Sequence, residues 1–529
     1  MLSVATSQYR RYRVPREDNT LLMEPPADKV RIAGPCPGIQ FDLGGMSLAE
    51  LRSQARRELL TAAIDYTSGY RDAAVPTSPD APLLVTGHQA ELFHPGVWFK
   101  NFVLSRLADQ HAGVGIHLVI DSDTLHSPSV RVPTGSPTAP RAEAVRLDRL
   151  DTRLPVEELR VTDNALFESF GQRATDTIAP LIPNPLVRDW WPSVVAASRR
   201  TDGKLGLAIA QARHELEAKW GAASLEVPIS HCCQLPSFQR FVAALLLDVE
   251  RLHQAYNDSL AEYRRAHHLR NEAQPMPDLA TEGTWLETPL WVWTHGRPQR
   301  RPLFVERSAG KLKLSNREQW TVELEYRSHE RLAEQLADLA ANGVKIRTRA
   351  LTTTLFARTV LGDLFLHGIG GAKYDEVTDD LARRLWGCPP PGYLTLSATL
   401  QLPIEHRHVG DEQIRSVQHQ LRDCQWHPER MLPSEPSAEA KDALSAKEKW
   451  IHTAKTESNA RDRHRAIEAA NQVLRGAVET RAAELEAELA NLSIAARATA
   501  VLDSREYAFC LYPEQDLRQR MTKLVDQAL

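Results

Sequence analysis

The chain has 529 residues, of which 42% are hydrophobic, 25% charged and 6% aromatic. That is more than one hydrophobic core usually serves and too apolar for a largely disordered chain, so two or three structural units are expected. The 64 basic against 68 acidic residues leave a formal charge of −4, which gives no bulk attraction to nucleic acid or to an anionic membrane.

No stretch approaches the roughly eighteen uninterrupted apolar residues of a membrane span. The first residues, Met1 to Ala5 followed by Arg10, Arg11 and Arg13, lack the ordered regions of a signal peptide. Six cysteines (Cys36, Cys232, Cys233, Cys388, Cys424, Cys510) are too sparse for a disulfide framework. Free thiols and a cytoplasmic location are expected.

Residues 1–80 read as an N-terminal extension. It carries a helix that starts at the N-cap Ser47 and runs through Leu48, Leu51, Leu59, Leu60 and Ile64. Arg71 to Pro82, with three prolines, reads as a linker. Residues 81–150 open the core. Leu83-Leu84-Val85 is a short strand, Val97 to Leu107 a helix closed by His111-Ala112-Gly113, and Ile116 to Ile120 a second strand ending at Asp121. Strand, helix, strand is the grammar of a parallel sheet. Ser127 to Arg149 reads as extended loop.

Residues 151–275 read as a helical insertion, and 276–410 as the second part of the core. There, Leu290 to Trp293 and Leu303 to Val305 are strand-like around the turn His295-Gly296. Arg349 to Thr354 and Val360 to Leu366 follow as strands, then Gly368 to Gly371 and a helix beginning near Asp375. Residues 411–529 are poor in Pro and Gly over much of their length. Leu474, Val478, Ala482, Leu485, Leu489 and Leu492 form a short heptad seam, which fits a helical hairpin, a coiled coil or a helix packed on its own core. The expected class is α/β: a Rossmann-like parallel-sheet core with helical insertions and a C-terminal helical coiled-coil arm.

Ligands bind such sheets at the carboxyl ends of the strands, which singles out three segments. In Thr86-Gly87-His88-Gln89-Ala90-Glu91-Leu92-Phe93-His94-Pro95-Gly96, glycine lets backbone approach a ligand, helix N–H groups favour an anion, and His88, His94 and Gln89 add donors. His94-Pro95-Gly96-Val97 also echoes the His-x-Gly-His turn of nucleotidyltransferases without its final histidine. Asp121-Ser122-Asp123-Thr124-Leu125-His126 offers paired carboxylates to orient an amine, bind hydrated magnesium or act as a base, or else a plain turn. With His88 or His126 the pair could ligate a transition metal, though spacing alone specifies none. His367-Gly368-Ile369-Gly370-Gly371-Ala372-Lys373 exposes backbone N–H groups beside a point charge, with Asp375 as a helix cap. It lacks the spacing of a Walker loop.

Elsewhere the chemistry is thinner. His231-Cys232-Cys233 is a poor zinc chelate. Trp285, Trp291 and Trp293 read as core, and Arg297, Arg300 and Arg301 as candidate carboxylate or phosphate binders. No nucleic-acid-binding signature stands out.

Leu84 to Phe93 resembles the Thr-Gly-Gln-Gln-Ala-Gly-Leu-Phe motif of the cysteine-adding enzymes of bacillithiol biosynthesis. Asp121-Ser122-Asp123 resembles that family's Glu-Asp-His-Asp strand end, and Phe365 to Leu381 its glycine-containing strand-to-helix segment. The resemblance covers about a quarter of the chain. It implies a Rossmann-like core, a coiled-coil arm that makes a homodimer, and amide formation between cysteine and a malate–glucosamine conjugate. The chain differs from the motif at His88, Glu91, His94 and Ser122.

Three functions follow as expectations. The first is a small-molecule ligase forming a carbon–nitrogen bond, with Asp121, Asp123, His88 and His94 as catalytic candidates. Thr86, Gly87, Gln89, Gly96, His126, Gly370, Gly371 and Lys373 would bind substrate or a nucleotide such as ATP or ADP. The second is a nucleotidyltransferase-like enzyme acting with ATP. The third is a non-catalytic ligand-binding or coiled-coil scaffold protein.

Overall fold

The structure, a computed structural model, describes residues 12–32, 41–73, 78, 80–151, 153–271 and 273–529. The chain forms two compact units. One comprises Met1–Val132, Ala144–Gln401 and Arg505–Leu529; the other comprises Pro133–Glu143 and Leu402–Ser504.

In chain order, the first unit contains β1 (Thr20–Glu24), α1 (Leu48–Ser68), β2 (Leu83–Gln89), α2 (Pro95–Gln110), β3 (Val114–Ile120), α3 (Leu205–Lys219), β4 (Leu225–Pro228), β5 (Leu364–His367), α4 (Ile369–Trp386) and β6 (Tyr393–Thr399). Helix α1 starts at Ser47 because a capping box forms there. The Ser47 hydroxyl accepts from Glu50 N–H, and the Glu50 carboxylate accepts from Ser47 N–H. Leu51, Ala55, Leu59 and Ala63 then form one fully buried stripe.

The six strands form a sheet in the order β1-β6-β5-β2-β3-β4. β1 pairs antiparallel with β6, and the remaining neighbours are parallel. Leu84, Val85, Ile116 and Leu118 are fully buried, as expected of strands covered on both faces. Asp363, just before β5, accepts from the Leu83 N–H at 2.9 Å and pairs with Arg52 and Arg56 of α1 at 2.8 and 2.5 Å. It thereby sets the start of β2 beside β5 and ties both to α1.

Several expectations are corrected. β2 runs to Gln89, so Thr86, Gly87, His88 and Gln89 are strand residues, paired with His117 to Ile120. The expected loop Ser127–Arg149 carries a hairpin of strands Ser129–Ser136 and Ala139–Arg146. The expected helical insertion includes β4, an edge strand of the sheet. The predicted turn at His295-Gly296 does join two strands, Trp285–Thr294 and Arg297–Ser308, but these belong to a separate antiparallel sheet with Lys311–Ser315, Thr321–Glu325 and Val344–Thr348.

Arg349 to Thr354, expected as a strand, is instead the N-cap and first residues of the helix Ala350–Phe356, which runs into a π-helical turn, Ala357–Leu361. The threonine hydroxyls are satisfied by carbonyls: Thr353 donates to Arg349 and Thr352 to Pro289. That bonding overrides β propensity. α4 begins at Ile369, so Gly370 and Gly371 lie in its first turn and Asp375 lies inside the helix.

The second unit contains α5 (Asp411–Trp426), a helix Ala438–His452, α6 (Ala460–Ala477) and α7 (Glu479–Leu502). The heptad seam breaks at Val478 between α6 and α7. Leu474, Val478, Leu485 and Leu492 are buried, and the last three cluster with Val417 and Cys424 of α5. Arg475 bonds the Gln425 carbonyl and Arg481 the Gln420 side chain, so α5 and the α6–α7 run are antiparallel. Arg505–Leu529, expected with these helices, belongs to the first unit.

Among the described residues, no helix is long and apolar enough to cross a membrane. Cys232, Cys233, Cys424 and Cys510 are free and buried. Cys388 is disulfide-bonded, which corrects the expectation of free thiols at that residue. Cys36, residues 1–11 and much of the expected linker lie outside the described residues.

Ser47→Ala is expected to cost about 1 kcal/mol through the lost cap. Asp363→Ala is expected to cost about 3 kcal/mol by leaving Arg52 buried without its partner. Urea unfolding monitored by circular dichroism measures both, and equal losses would contradict the register role of Asp363.

Candidate functional site

Beyond the carboxyl ends of β2, β3, β5 and β6 lies a cavity of about 810 Å³, a volume suited to a small molecule. The end of β2 brings Gly87, His88 and Gln89 to its wall. The head of α2 brings His94 and Gly96, the turn after β3 Ser122 and Asp123, and β5 with the head of α4 His367, Gly368, Gly370, Gly371 and Lys373. The three segments singled out in the sequence therefore meet in one cavity. Trp291, Arg300 and Arg349 line another side, and Lys100, Ser397 and Arg505 complete it.

Three expected site residues do not reach this cavity. Thr86 is buried, and its hydroxyl donates to the Leu366 carbonyl at 2.7 Å, joining β2 to β5. Asp121 is buried and accepts from the Ser230 N–H and hydroxyl at 3.0 and 2.5 Å. Burial, with Glu157 nearby, pushes its carboxyl up to about 7, but it is sealed from the cavity. His126 is largely exposed and pairs with Glu91 at 3.0 Å, which raises its pKa.

The histidines that do reach it are neutral. His94 is the N-cap of α2: its Nδ1 accepts from Gly96 N–H at 3.1 Å, so the proton sits on Nε2. Burial and the Arg505 charge lower its pKa to about 3. His88 packs edge-on against Phe93, and burial beside Lys100 lowers it well below its usual range. Neither carries the positive charge expected of an anion holder, although both can form hydrogen bonds. Asp123 accepts from Arg300, Gln89 and the Thr124 N–H at 2.7, 3.2 and 2.8 Å. Burial opposes its ionisation, yet the Arg300 charge and these bonds outweigh it and lower its pKa. An ionised, triply bonded carboxylate orients its neighbours better than it abstracts a proton.

A buried positive charge and an imidazole–carboxylate pair come from residues not among the expected catalytic candidates. Lys100 is buried, and its ammonium donates to the Gly87 carbonyl at 3.0 Å. No carboxylate among the described residues pairs with it, and burial lowers its pKa to about 8. The signal was present in the sequence: a lysine four residues after Gly96 in the apolar run Trp98 to Val103. His367 Nε2 lies 2.6 Å from Asp375, which is also bound by the buried Arg358 at 2.6 Å. Burial opposes ionisation of Asp375, but Arg358 and His367 outweigh it and hold it ionised. Burial keeps the His367 imidazole neutral despite that carboxylate. Arg505 is fixed by Ser397 and Thr399 of β6, both at 3.1 Å.

Of the predicted arginine trio only Arg300 reaches the cavity. Arg300 and Arg349 lie over the Trp291 ring at 4.7 and 4.1 Å, so Trp291 is a wall of the cavity rather than core. Arg301 pairs with Glu318 at 2.9 Å.

The head of α4 faces open space. Its N-cap is Gly368, with no side-chain cap on the first N–H groups. A Cβ placed on Gly368 or Gly370 would meet nothing within 4 Å, so no packing inside the protein demands glycine there. Gly96 is different: its Cβ would stand 1.9 Å from the Ala398 carbonyl oxygen, so glycine is what lets α2 approach β6.

No protein-family model matches the chain, and no curated protein matches it. The chemistry of the site rests on its geometry.

A lone buried ammonium with a pKa near 8 gives an anion a pH-dependent partner. The folded protein loses this charge above pH 8, while the unfolded chain keeps it to about 10.5. Stability from this group therefore rises between those values, and anion affinity falls. Sulfate, whose own charge is constant there, is expected to bind more weakly as pH rises through 8 in a calorimetric titration. Lys100→Met should show weak binding with no such dependence.

Proposed function

We propose that the chain is a small-molecule enzyme that holds an anionic substrate, carrying a carboxylate or phosphate, against Lys100 and the head of α4. His367, backed by Asp375, takes a proton from the attacking group. One observation carries the reading: a buried ammonium with no carboxylate partner among the described residues shares a cavity with a glycine-lined helix N-terminus that has no side-chain cap.

The reaction class that fits is carbon–nitrogen bond formation, as the resemblance implies. An amine attacks an acyl carbon, its proton passes to the free nitrogen of His367, and the bond from that carbon to its activating group breaks as the group departs with the electron pair; Lys100, the α4 N–H groups and the Nε2–H of His94 are donors for the oxyanion in between. The acyl group arrives already activated, or a nucleotide such as ATP activates it in the same cavity, its phosphates at the α4 head near Lys373. We read the mixed sheet as a Rossmann-like core on its run of five parallel strands.

We also read the second unit as a coiled-coil arm that makes a homodimer. Trp426, Ile451 and Ile494, all in that unit, stay exposed, apolar side chains whose covering by a second copy would remove them from water. Light scattering is expected to show a dimer for the wild type and a monomer for Trp426→Ser; a monomeric wild type removes the dimer.

Mass spectrometry of small molecules retained by the native protein is expected to find an anionic compound that Lys100→Met does not retain. With that compound, an amine and ATP, the wild type should form an amide. His367→Asn and Asp375→Asn should each lower kcat by roughly 10²–10⁴-fold with little change in KM. Pyrophosphate release without an amide product would instead favour the nucleotidyltransferase-like reading. Full activity of both variants would remove the base role.

A further inference from the structure

The second unit holds a second constellation, remote in sequence from the three cavity-lining segments. His406 and His408 lie on the extended chain before α5, and Asp503 is the C-terminal cap of α7. One ligand atom from each lies within 4.8 Å of the other two.

One ring nitrogen of His406 is already engaged by the backbone. Its Nδ1 is 2.8 Å from the Ile404 carbonyl, which can only accept, so the proton of the neutral ring sits on Nδ1 and Nε2 carries a lone pair. That Nε2 atom is buried and makes no hydrogen bond, although Asp503 Oδ1 is 2.9 Å away. A close nitrogen–oxygen contact without hydrogen-bond alignment is what two neighbouring ligands of one ion show. Metal–ligand bonds of about 2.0–2.2 Å at tetrahedral angles place adjacent ligand atoms about 3.3–3.6 Å apart, so the two groups need to part by only a few tenths of an ångström to share an ion. His408 Nδ1 stands 2.8 Å from the other oxygen, Oδ2, so both oxygens of Asp503 face an imidazole.

The surroundings hold this arrangement in place. Thr499, in the last turn of α7, accepts from the Val409 N–H at 3.2 Å and bonds the Arg407 carbonyl. The histidine-bearing segment is thus pinned beside Asp503. The C-terminal end of a helix carries partial negative charge, which favours a cation there.

We propose that His406, His408 and Asp503 bind one divalent transition-metal ion, with zinc the best fit. Two imidazole nitrogens and one carboxylate oxygen suit a borderline ion and not calcium or magnesium, which take oxygen ligands. Three protein ligands leave a fourth position open to water. The second unit's main segment, Leu402–Ser504, begins four residues before His406 and ends one residue after Asp503. The ion therefore ties together the two ends of that segment.

The test uses the full chain, stripped with a chelator and titrated with Zn²⁺ by calorimetry, with bound metal counted by mass spectrometry. One ion per chain is expected, together with a rise in thermal midpoint. His408→Ala and Asp503→Asn should each weaken binding about tenfold or more and abolish that rise. His408 is largely exposed, so its alanine variant folds and decides the matter even where Asp503→Asn does not. Co²⁺ in place of Zn²⁺ should give visible absorption in the wild type only. Binding below one equivalent, or binding that His408→Ala leaves unchanged, overturns the proposal, because exposed histidines elsewhere would then account for the metal.

Discussion

One buried guanidinium organises the region beneath the cavity. Arg213 of α3 sits between the carboxylates of Glu217 and Glu226, and all three are fully buried. Glu217 also accepts from Trp98 and Asn101 of α2 at 2.5 and 2.8 Å. Glu226, on β4, lies 3.1 Å from His117 of β3. One charge cluster thus fixes α2, α3, β3 and β4 about a common point. Such a cluster adds little net stability over an apolar equivalent, yet removing one member leaves a buried charge unpaired. Its effect is to specify one arrangement of these elements.

The position of Lys100 follows from that arrangement. Trp98 and Asn101, three residues apart on one face of α2, are anchored on Glu217, so Lys100, between them in the same turn, projects from a different face to the Gly87 carbonyl rather than to either carboxylate. Both acids are already engaged by Arg213, and the Arg213 charge further lowers the Lys100 pKa. The same pattern recurs across the cavity, where Arg358 in the π-helical turn holds Asp375 and Asp375 holds His367. In each case a buried arginine organises the carboxylates and leaves a reactive nitrogen, Lys100 or His367, at the cavity wall.

The sequence made the place legible but not the roles. Periodicity and turn residues located α1, β2, α2 and β3, and the three glycine- or aspartate-bearing segments do converge. Local pattern failed where long-range contacts decide the outcome. Thr352 to Thr354 look like strand until their hydroxyls find carbonyls. The tryptophan pair Trp291 and Trp293 reads as core until Arg300 and Arg349 cover one ring. Asp121 looks as available as Asp123, and only the distant Ser230 distinguishes them. No local signal marks Arg358 or Arg505, whose partners lie across the fold. His367 and Asp375 are eight residues apart, a spacing that carries no meaning until a strand end and a helix fold back on each other.

The differences from the bacillithiol-enzyme motif acquire a physical meaning in this setting. Glu91 is turned to His126 outside the cavity, whereas His88, His94 and Ser122 all stand on its wall. The two imidazoles are neutral and one is committed to capping α2, so these changes alter hydrogen bonding and shape more than charge. The buried ammonium and the imidazole–carboxylate pair stand at other positions, Lys100, His367 and Asp375. Under the proposed function, the first set shapes which anion or amine fits, while the second set holds the anion and accepts the proton. A site divided in this way changes substrate more readily than it changes reaction.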